Sequence, residues 1–295
     1  MADSTNTTLH NFVPEYWSKK LGPKLHDAGV MAKCVNRNYE GEIKQAGDTV
    51  KINFVDGIAV NTYGSDNLSY ETPKSKQKQL EIDQKKYFAF AVDDISKVQS
   101  NVELTNKYIA EAKKSIELVQ DTFLLSKRAD VDSGNVVTGV TASKSNIYDF
   151  FVSLKIALRN ANAINQAGKA ANGKRPWVVI NPAVEKLIIL SDEYRNRSTQ
   201  ATDKIIREGA VFEYAGFDVL SATNLKAVTT GSDSSAVTTV EILAGVDEAI
   251  TFASQITKIE CIRDKDRFQD LVRGLYVYGA KTVEGKLLAK GTLTL

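Results

Sequence analysis

The longest helical pattern in the chain lies in residues 98–123, VQSNVELTNKYIAEAKKSIELVQDTF. Mainly apolar side chains recur there at intervals of four and three residues, which places them on one narrow stripe of a helix. The stripe consists of Val98, Val102, Thr105, Ile109, Ala112, Ile116, Val119 and Phe123. Asp93 and Asp94 are expected to cap the N-terminus of this helix, where acidic groups also suit the helix dipole.

If this helix continues to Ala129, it has about 32 residues and a length of roughly 48 Å. That length exceeds the width of a small domain. The sequence contains one such pattern, which disfavours a coiled coil within the chain. The pattern therefore predicts a long, single helix that lies across a flat sheet.

Two strand patterns precede the helix. Residues 49–54 alternate apolar and polar side chains after a turn at Gly47 and Asp48, and alternation of this kind is typical of a half-buried strand. A second strand is expected over residues 80–92, whose apolar side chains stay in phase. The polar connection at 56–79 is long for a structureless loop in a compact domain. It is either a flexible surface loop or a long hairpin arm ordered by neighbouring molecules, and the residues alone do not decide between them.

The first 35 residues or so predict an arm, because prolines and glycines interrupt any long helix. Its aromatic side chains require burial, either in the chain's own core or in a neighbour. After the long helix, residues 133–145 are rich in Gly, Ser, Thr and Asn and predict a domain boundary.

A mixed α/β region is expected to follow this boundary. A helix that carries Ile147 to Ile164 on one face and ends near Gly168 leads to a buried strand at 177–180. Asn181 caps a further helix that has Pro182 at its first position. Residues 249–255 predict a short helix or its edge, and the chain from 257 onward is rich in strand patterns.

Composition excludes several classes of protein. The formal net charge of +2 is too small to indicate a nucleic-acid binder. The 43% apolar content argues against disorder throughout. A membrane span is not expected, because no run of about 18 apolar residues occurs. The two cysteines form no disulfide framework, and the polar N-terminus lacks a signal-peptide pattern, which together point to a reducing cytosol.

One segment partly matches a phosphate-binding loop. Gly168, Gly173 and Lys174 have the spacing of that motif, but Arg175 stands where Ser or Thr must hold magnesium. The segment also follows a helix and leads into a strand, the reverse of the required order. A basic helix-to-strand loop is the better interpretation.

No other pattern predicts chemistry. His10 and His26 lie in the arm without the further ligands that a zinc site needs. Asp93 and Asp94 form a carboxylate pair, but helix capping explains them better. The alternating Lys74, Lys76 and Lys78 lack the interleaved aromatics of a nucleic-acid surface. The sequence therefore predicts no catalytic, cofactor-binding or metal-binding residues, and we expect no enzyme activity.

Six short segments of the chain carry a resemblance to a known family. They are FVPEYWSKKL at 12–21, YEGEI at 39–43 leading to GDTV at 47–50, DQKKYFAF at 83–90 with VDD at 92–94, and GFDVLS at 216–221. In sequence and in their order along the chain, these segments resemble the major capsid proteins of tailed bacteriophages that have the HK97-type shell fold. The resemblance covers nearly the whole chain.

The resemblance implies an α+β, HK97-like capsid fold with named parts. These are an N-terminal arm at 1–35, an extended-loop hairpin with flanking strands at 36–92 and its tip at about 56–79, the spine helix of a peripheral domain at 93–134, an axial domain at 135–254, and returning strands of the peripheral domain at 255–295. The arm starts close to Met1, so any scaffolding segment is expected to be a separate protein or already removed.

The resemblance also implies a structural role. Many copies are expected to assemble, as hexamers and pentamers, into an icosahedral head shell that encloses phage double-stranded DNA, which meets the inner face without sequence specificity. Portal, scaffolding and decoration proteins are further partners of the family, and the location is the virion, assembled in the bacterial host cytoplasm. Two alternatives stay open, a shell of the same fold that encloses protein cargo and a small-molecule α/β enzyme.

Residues of the arm and of the extended loop are the expected assembly contacts. They are Phe12, Tyr16, Trp17, Tyr63, Leu68, Tyr70, Lys74, Lys76 and Lys78. Some members of the family form Lys–Asn links between subunits, and the three lysines lie where a donor sits. No matching Asn and carboxylate are identified, so a cross-link is not predicted.

Overall fold

A computed structural model describes the fold. The described residues are 29–39, 49–55, 60, 70, 72, 75–93, 103–191, 213–225, 227–230 and 237–295. Within them, three α-helices and twelve strands in three sheets make a mixed α+β fold. The helices are α1 (Glu103–Ser126), α2 (Ile147–Asn160) and α3 (Pro182–Leu190).

The largest sheet has seven strands. They are β4 (Val136–Thr141), β5 (Trp177–Ile180), β6 (Glu213–Tyr214), β7 (Phe217–Ser221), β8 (Val228–Thr230), β9 (Val237–Gly245) and β12 (Leu288–Thr294). The order is β4-β12-β9-β5-β7-β6, with β8 beside β9. The β4–β12 and β5–β7 pairs are parallel. Apolar side chains of α2 and α3 pack with this sheet in one continuous core. The same core also includes Leu124 and Leu125 at the end of α1, and Phe252 and Tyr278 from the second sheet.

A second, antiparallel sheet has three long strands. They are β3 (Gln84–Asp93), β10 (Ile250–Arg263) and β11 (Gln269–Thr282), in the order β10-β11-β3. Two further strands, β1 (Thr49–Val55) and β2 (Ser75–Glu81), pair with each other. The base of this hairpin has a small separate core, made of Val50, Ile52, Leu80, Ile82, Ala253 and Val277. The hairpin is therefore packed on the three-stranded sheet at its base.

The prediction of a single strand at 80–92 is wrong, because two strands occupy this stretch. The chain leaves β2 at Glu81 and enters β3 at Gln84, and so changes from one sheet to the other. Gly279 of β11 makes this crossing possible, because a Cβ atom there would clash with the carbonyl group of Glu81. Since β2 begins at Ser75, the expected loop tip at 56–79 extends too far at its C-terminal end.

The start of the long helix also differs from the expectation. Asp93 pairs with Gln269 at the end of β3, so it is a strand residue and not the cap of α1. Asp94 lies outside the described residues. The helix ends at Ser126 and continues as a 3-10 turn at Lys127–Asp130, close to the predicted end.

Three further expectations need correction. The segment at 133–145 contains the edge strand β4, which is held by its parallel pairing with β12. At 249–255 a 3-10 turn, Asp247–Ala249, gives way directly to β10. Within 255–295, β10 and β11 lie in the three-stranded sheet, whereas β12 lies between β4 and β9 in the seven-stranded sheet. The domain boundaries themselves stay predictions.

The predicted start of α3 is confirmed. The Asn181 side chain accepts a hydrogen bond from the Val184 backbone N–H at 3.0 Å, and Pro182 occupies the first turn. Such a cap satisfies a backbone donor that has no partner inside the helix.

Candidate assembly surface

The long helix α1 lies against the three-stranded sheet, as its stripe predicts. The ring of Tyr108 lies 5.7 Å from that of Phe90, and the ring of Phe123 meets Tyr278 edge to face at 5.4 Å. The Gln120 side chain donates a hydrogen bond to the Tyr276 hydroxyl. Polar as well as aromatic contacts therefore join the helix to the sheet.

The burial of α1 departs from the predicted stripe in one respect. Ile109, Ala112, Ile116 and Phe123 are half-buried, but Val119 is exposed. The most deeply buried side chains belong to the last two turns, namely Gln120, Asp121, Leu124 and Leu125. The cause is a second packing partner, the segment of residues 29–37, which we call the strap.

The strap joins the helix to the sheet. Its 3-10 turn, Met31–Lys33, buries Met31, and the backbone of Val30 and Met31 donates to the Asp121 carboxylate. Farther along, Asn36 makes an isolated parallel bridge with Thr251 of β10. Sequence reasoning missed Asp121, whose one signal is an acidic side chain between the apolar Val119 and Leu124.

A cavity of about 510 Å³ lies between the strap, α1 and the sheet. Its lining combines apolar side chains, including Phe88, Ile116 and Tyr276, with the charged Arg37 and Lys113. Its volume is within the range of ligand sites, and its lining also includes the polar Ser254 and the acidic Glu117.

The outer part of the three-stranded sheet exposes large apolar side chains. Tyr87 is 79% exposed and Phe268 is 81% exposed. On the same face of the sheet as Tyr87, Ile262 and Leu275 are each about two-fifths exposed. An exposed apolar surface of this kind is typical of a contact with another protein.

Charged pairs border this apolar surface. Arg263 and Asp270 are 3.1 Å apart across the β10–β11 hairpin, and Arg273 contacts Glu260 at 2.6 Å. In the turn, hydrogen bonds from Gln269 and from the backbone lower the pKa of Asp264. Both signs of charge are present at the hairpin end, which suits contact with an identical surface.

The segment that partly matches a phosphate loop holds ion pairs. Lys174 contacts Asp247 at 2.7 Å, and this hydrogen bond raises the pKa of Lys174. Arg175 pairs with Glu213. Burial raises the pKa of Asp218, against the opposing effect of Arg175. Lys174 and Arg175 are therefore paired with carboxylates of the same chain, in agreement with the interpretation of this segment as a basic loop.

The two cysteines have different surroundings. Cys34 is buried in the strap, and this burial raises the pKa of its thiol well above the ordinary value. A thiol of this kind is inert at neutral pH, because the thiolate is the reactive form. Cys261 is exposed on β10.

The predicted assembly contacts are only partly within the described residues. Tyr70 is 88% exposed. Lys78 donates to the Val283 carbonyl, and Lys76 lies opposite Phe54 in the β1–β2 register. The other predicted contacts lie outside, namely Phe12, Tyr16, Trp17, Tyr63, Leu68 and Lys74. All nine stay predictions.

Two observations concern the described residues alone. None of their helices combines the length and the apolar character required to cross a membrane. Their His, Cys, Asp and Glu side chains form no group of three or more placed to hold a metal ion.

Comparisons with known proteins agree with this architecture. A structure from Mycobacterium phage Che8 is 26% identical, with a TM-score of 0.73, and the match covers 96% of this chain and 98% of that chain. The capsid structure of the cyanophage P-SCSP1u gives a TM-score of 0.74 at 11% identity, over 99% of this chain and 96% of that one. The capsid of Ralstonia phage GP4 gives 0.70 at 11% identity, over 99% and 98%.

No protein-family model and no curated protein matches the chain. The structural similarity nevertheless extends over nearly the whole length of both partners. The α+β fold expected from the resemblance is thereby confirmed, and it is the fold of phage capsid subunits.

Proposed function

We propose that this chain is a structural shell subunit, many copies of which assemble into an icosahedral head that encloses phage double-stranded DNA. The observation that carries the proposal is the end-to-end match with phage capsid chains, at TM-scores of 0.74 and 0.70. A match of this extent leaves little of the chain for a separate catalytic unit.

The exposed apolar side chains of the three-stranded sheet support the proposal. Association driven by apolar burial yields about 25 cal/mol per Å² removed from water. Each subunit contact in such a shell is modest, and repetition over many copies makes the assembly cooperative. The side chains Tyr87 and Phe268 are available for such contacts.

The proposal includes a location and a set of partners. The subunit resides in the virion after assembly in the host cytoplasm, and its first partner is a second copy of itself. Portal, scaffolding and decoration proteins are further partners, and packaged DNA meets the inner face without sequence specificity. The near-balanced charge of the chain, +2 overall, fits a loose contact with DNA. The subunit performs no catalysis.

The aromatic side chains of the arm are proposed anchors in a neighbouring subunit. Changing Trp17 to Ala is expected to leave thermal melting of the subunit unchanged and to reduce shell formation, because large aromatic side chains dominate interface energies. Thermal melts and electron microscopy of the same samples measure the two effects. A variant that unfolds, and fails to assemble for that reason, contradicts the anchor role.

Sedimentation velocity with negative-stain electron microscopy tests the whole proposal. Closed shells, tubes or ring-shaped capsomers of the purified protein are the expected result, with a scaffold added if the subunit alone stays small. The nucleic-acid content of the shells separates a DNA-filled head from a compartment for protein cargo. A strict monomer or dimer under all these conditions contradicts the proposal.

A further inference from the structure

We infer that Asp121 is a positioning residue, which fixes the position and the direction of the backbone at Val30 and Met31, where the described part of the chain begins. The inference rests on the proposed function, since this junction matters most if the N-terminal segment contacts a second copy. Its structural part can be tested on the free subunit.

The Asp121 carboxylate holds the beginning of the strap. It is 1% exposed, and it accepts the N–H of Val30 at 2.7 Å and the N–H of Met31 at 3.1 Å, one on each oxygen. These partners lie about ninety positions away in the sequence. A carboxylate that accepts two consecutive backbone N–H groups fixes the orientation of the backbone as well as its position.

The other end of the strap is fixed independently. The Asn36 N–H donates to the Ile250 carbonyl and its carbonyl accepts from the Phe252 N–H, both at 2.9 Å. The guanidinium of Arg37 lies 5.9 Å from the centre of the Phe252 ring. Asp121 therefore fixes the backbone at residues 30–31, while Asn36 fixes it near the other end of the strap.

The contact can also be perturbed from the strap side, by a substitution at Gly29. A Cβ atom at this position would lie 3.3 Å from Asp121 Oδ1 and 3.5 Å from the Cβ of Glu117. Alanine at position 29 therefore presses on the carboxylate without changing any charge. The two sides of the contact can thus be perturbed separately.

Amide hydrogen exchange on the free subunit tests the inference with the variants D121N and D132N. Asp132 is a matched control, because its side chain accepts one exposed N–H, that of Gly134, within its own turn. D121N keeps one acceptor oxygen and turns a donor towards the other N–H. Exchange at Val30 and Met31 is expected to accelerate about tenfold or more, since hydrogen bonds to charged groups are the stronger class. Strands β5 and β9 should be unaffected, and D132N should leave the strap unchanged.

Assembly gives the second readout. D121N is expected to form fewer closed shells than D132N at equal subunit concentration. Hydrogen exchange should show that both variants keep the seven-stranded and the three-stranded sheets intact. Unchanged exchange at residues 30–31, or an equal acceleration in β5 and β9, overturns the positioning role. If D121N does not fold, G29A decides, with a smaller acceleration expected at the same amides and an unchanged rate contradicting the inference. If the wild-type subunit never assembles, but D121N accelerates exchange at residues 30–31 as expected, only the proposed function is contradicted.

Discussion

The seven-stranded sheet with α2 and α3 differs from the three-stranded sheet with α1 in how completely each buries its apolar side chains. In the first, Phe150, Phe151 and Phe217 are almost wholly buried in one continuous core. In the second, large side chains such as Tyr87 and Phe268 stand in solvent, and the middle of α1 is at most half-buried. The first region buries its large aromatic side chains, whereas the second shares part of that core through Phe252 and Tyr278 and leaves other large apolar side chains exposed.

Removing an aromatic ring from the core beside the seven-stranded sheet should have the largest effect on the free energy of unfolding. The ring of Phe151 contacts those of Phe150, Tyr214 and Phe217, and the side chain is 0% exposed. Phe151→Ala is expected to lower the free energy of unfolding by about 3–5 kcal/mol, because it leaves a cavity in a packed core. Denaturant unfolding of the free subunit measures the loss. A change below about 1 kcal/mol would mean that this core is looser than the contacts indicate.

A charge placed between α1 and the three-stranded sheet tests how the second region packs. Ile116 lines the cavity beside the sheet and is half-buried, while Val119 on the same helix is 43% exposed. Ile116→Asp should destabilise the subunit by roughly 1–3 kcal/mol, since a carboxylate loses hydration there.

Val119→Asp is the matched control and should melt like the wild type. Thermal melts of the two variants side by side make the measurement. If Ile116→Asp melts normally, α1 does not pack on the sheet as described.

The ion pairs of Glu241 test a link between the two regions. Glu241 of β9 contacts Arg128, which follows α1, at 2.5 Å and Lys290 of β12 at 2.8 Å. The hydrogen bond from Lys290 is the main cause that lowers the pKa of Glu241. A lowered folded-state pKa stabilises the fold above the ordinary Glu value of about 4.3, and this contribution is lost as the pH falls through the folded value.

Glu241→Gln should therefore lower the melting temperature by a few degrees at pH 7, and this difference should shrink below about pH 4. Melting curves of both proteins from pH 7 to pH 3 measure it. A difference that stays constant over this range rules out the carboxylate charge as its origin.

The smallest effect on the subunit is expected at Phe268. Because this side chain is 81% exposed, Phe268→Ala should change the free energy of unfolding by less than about 0.5 kcal/mol. Its effect should appear in assembly, as fewer or irregular particles in electron micrographs. Stable subunits that form shells as well as the wild type would exclude Phe268 as a contact.

Local patterns predicted the helix and its position, because α1 packs on one side and its apolar residues follow the helical period. They predicted the cap at Asn181 for the same kind of reason, since capping depends on adjacent residues. The chain-wide fold came from the resemblance of phrases such as GFDVLS at 216–221 and not from any single pattern.

Other features depend on contacts between distant residues. Leu80, Ile82 and Phe88 keep a period of two across the break between β2 and β3, so alternation cannot reveal that the strand changes sheets. The pairing of β12 with β4 and β9 is likewise a long-range choice. The role of Asp121 became visible only when the strap was placed beside α1.

Hydrogen exchange of free subunits and of assembled particles measures whether assembly covers the exposed three-stranded sheet. If copies of this chain complete the exposed three-stranded sheet, amides in residues 259–275 should gain strong protection on assembly. Amides of β5 and β9, already buried in each subunit, should change little. Equal protection in both regions, or no gain in the three-stranded sheet, would contradict the account.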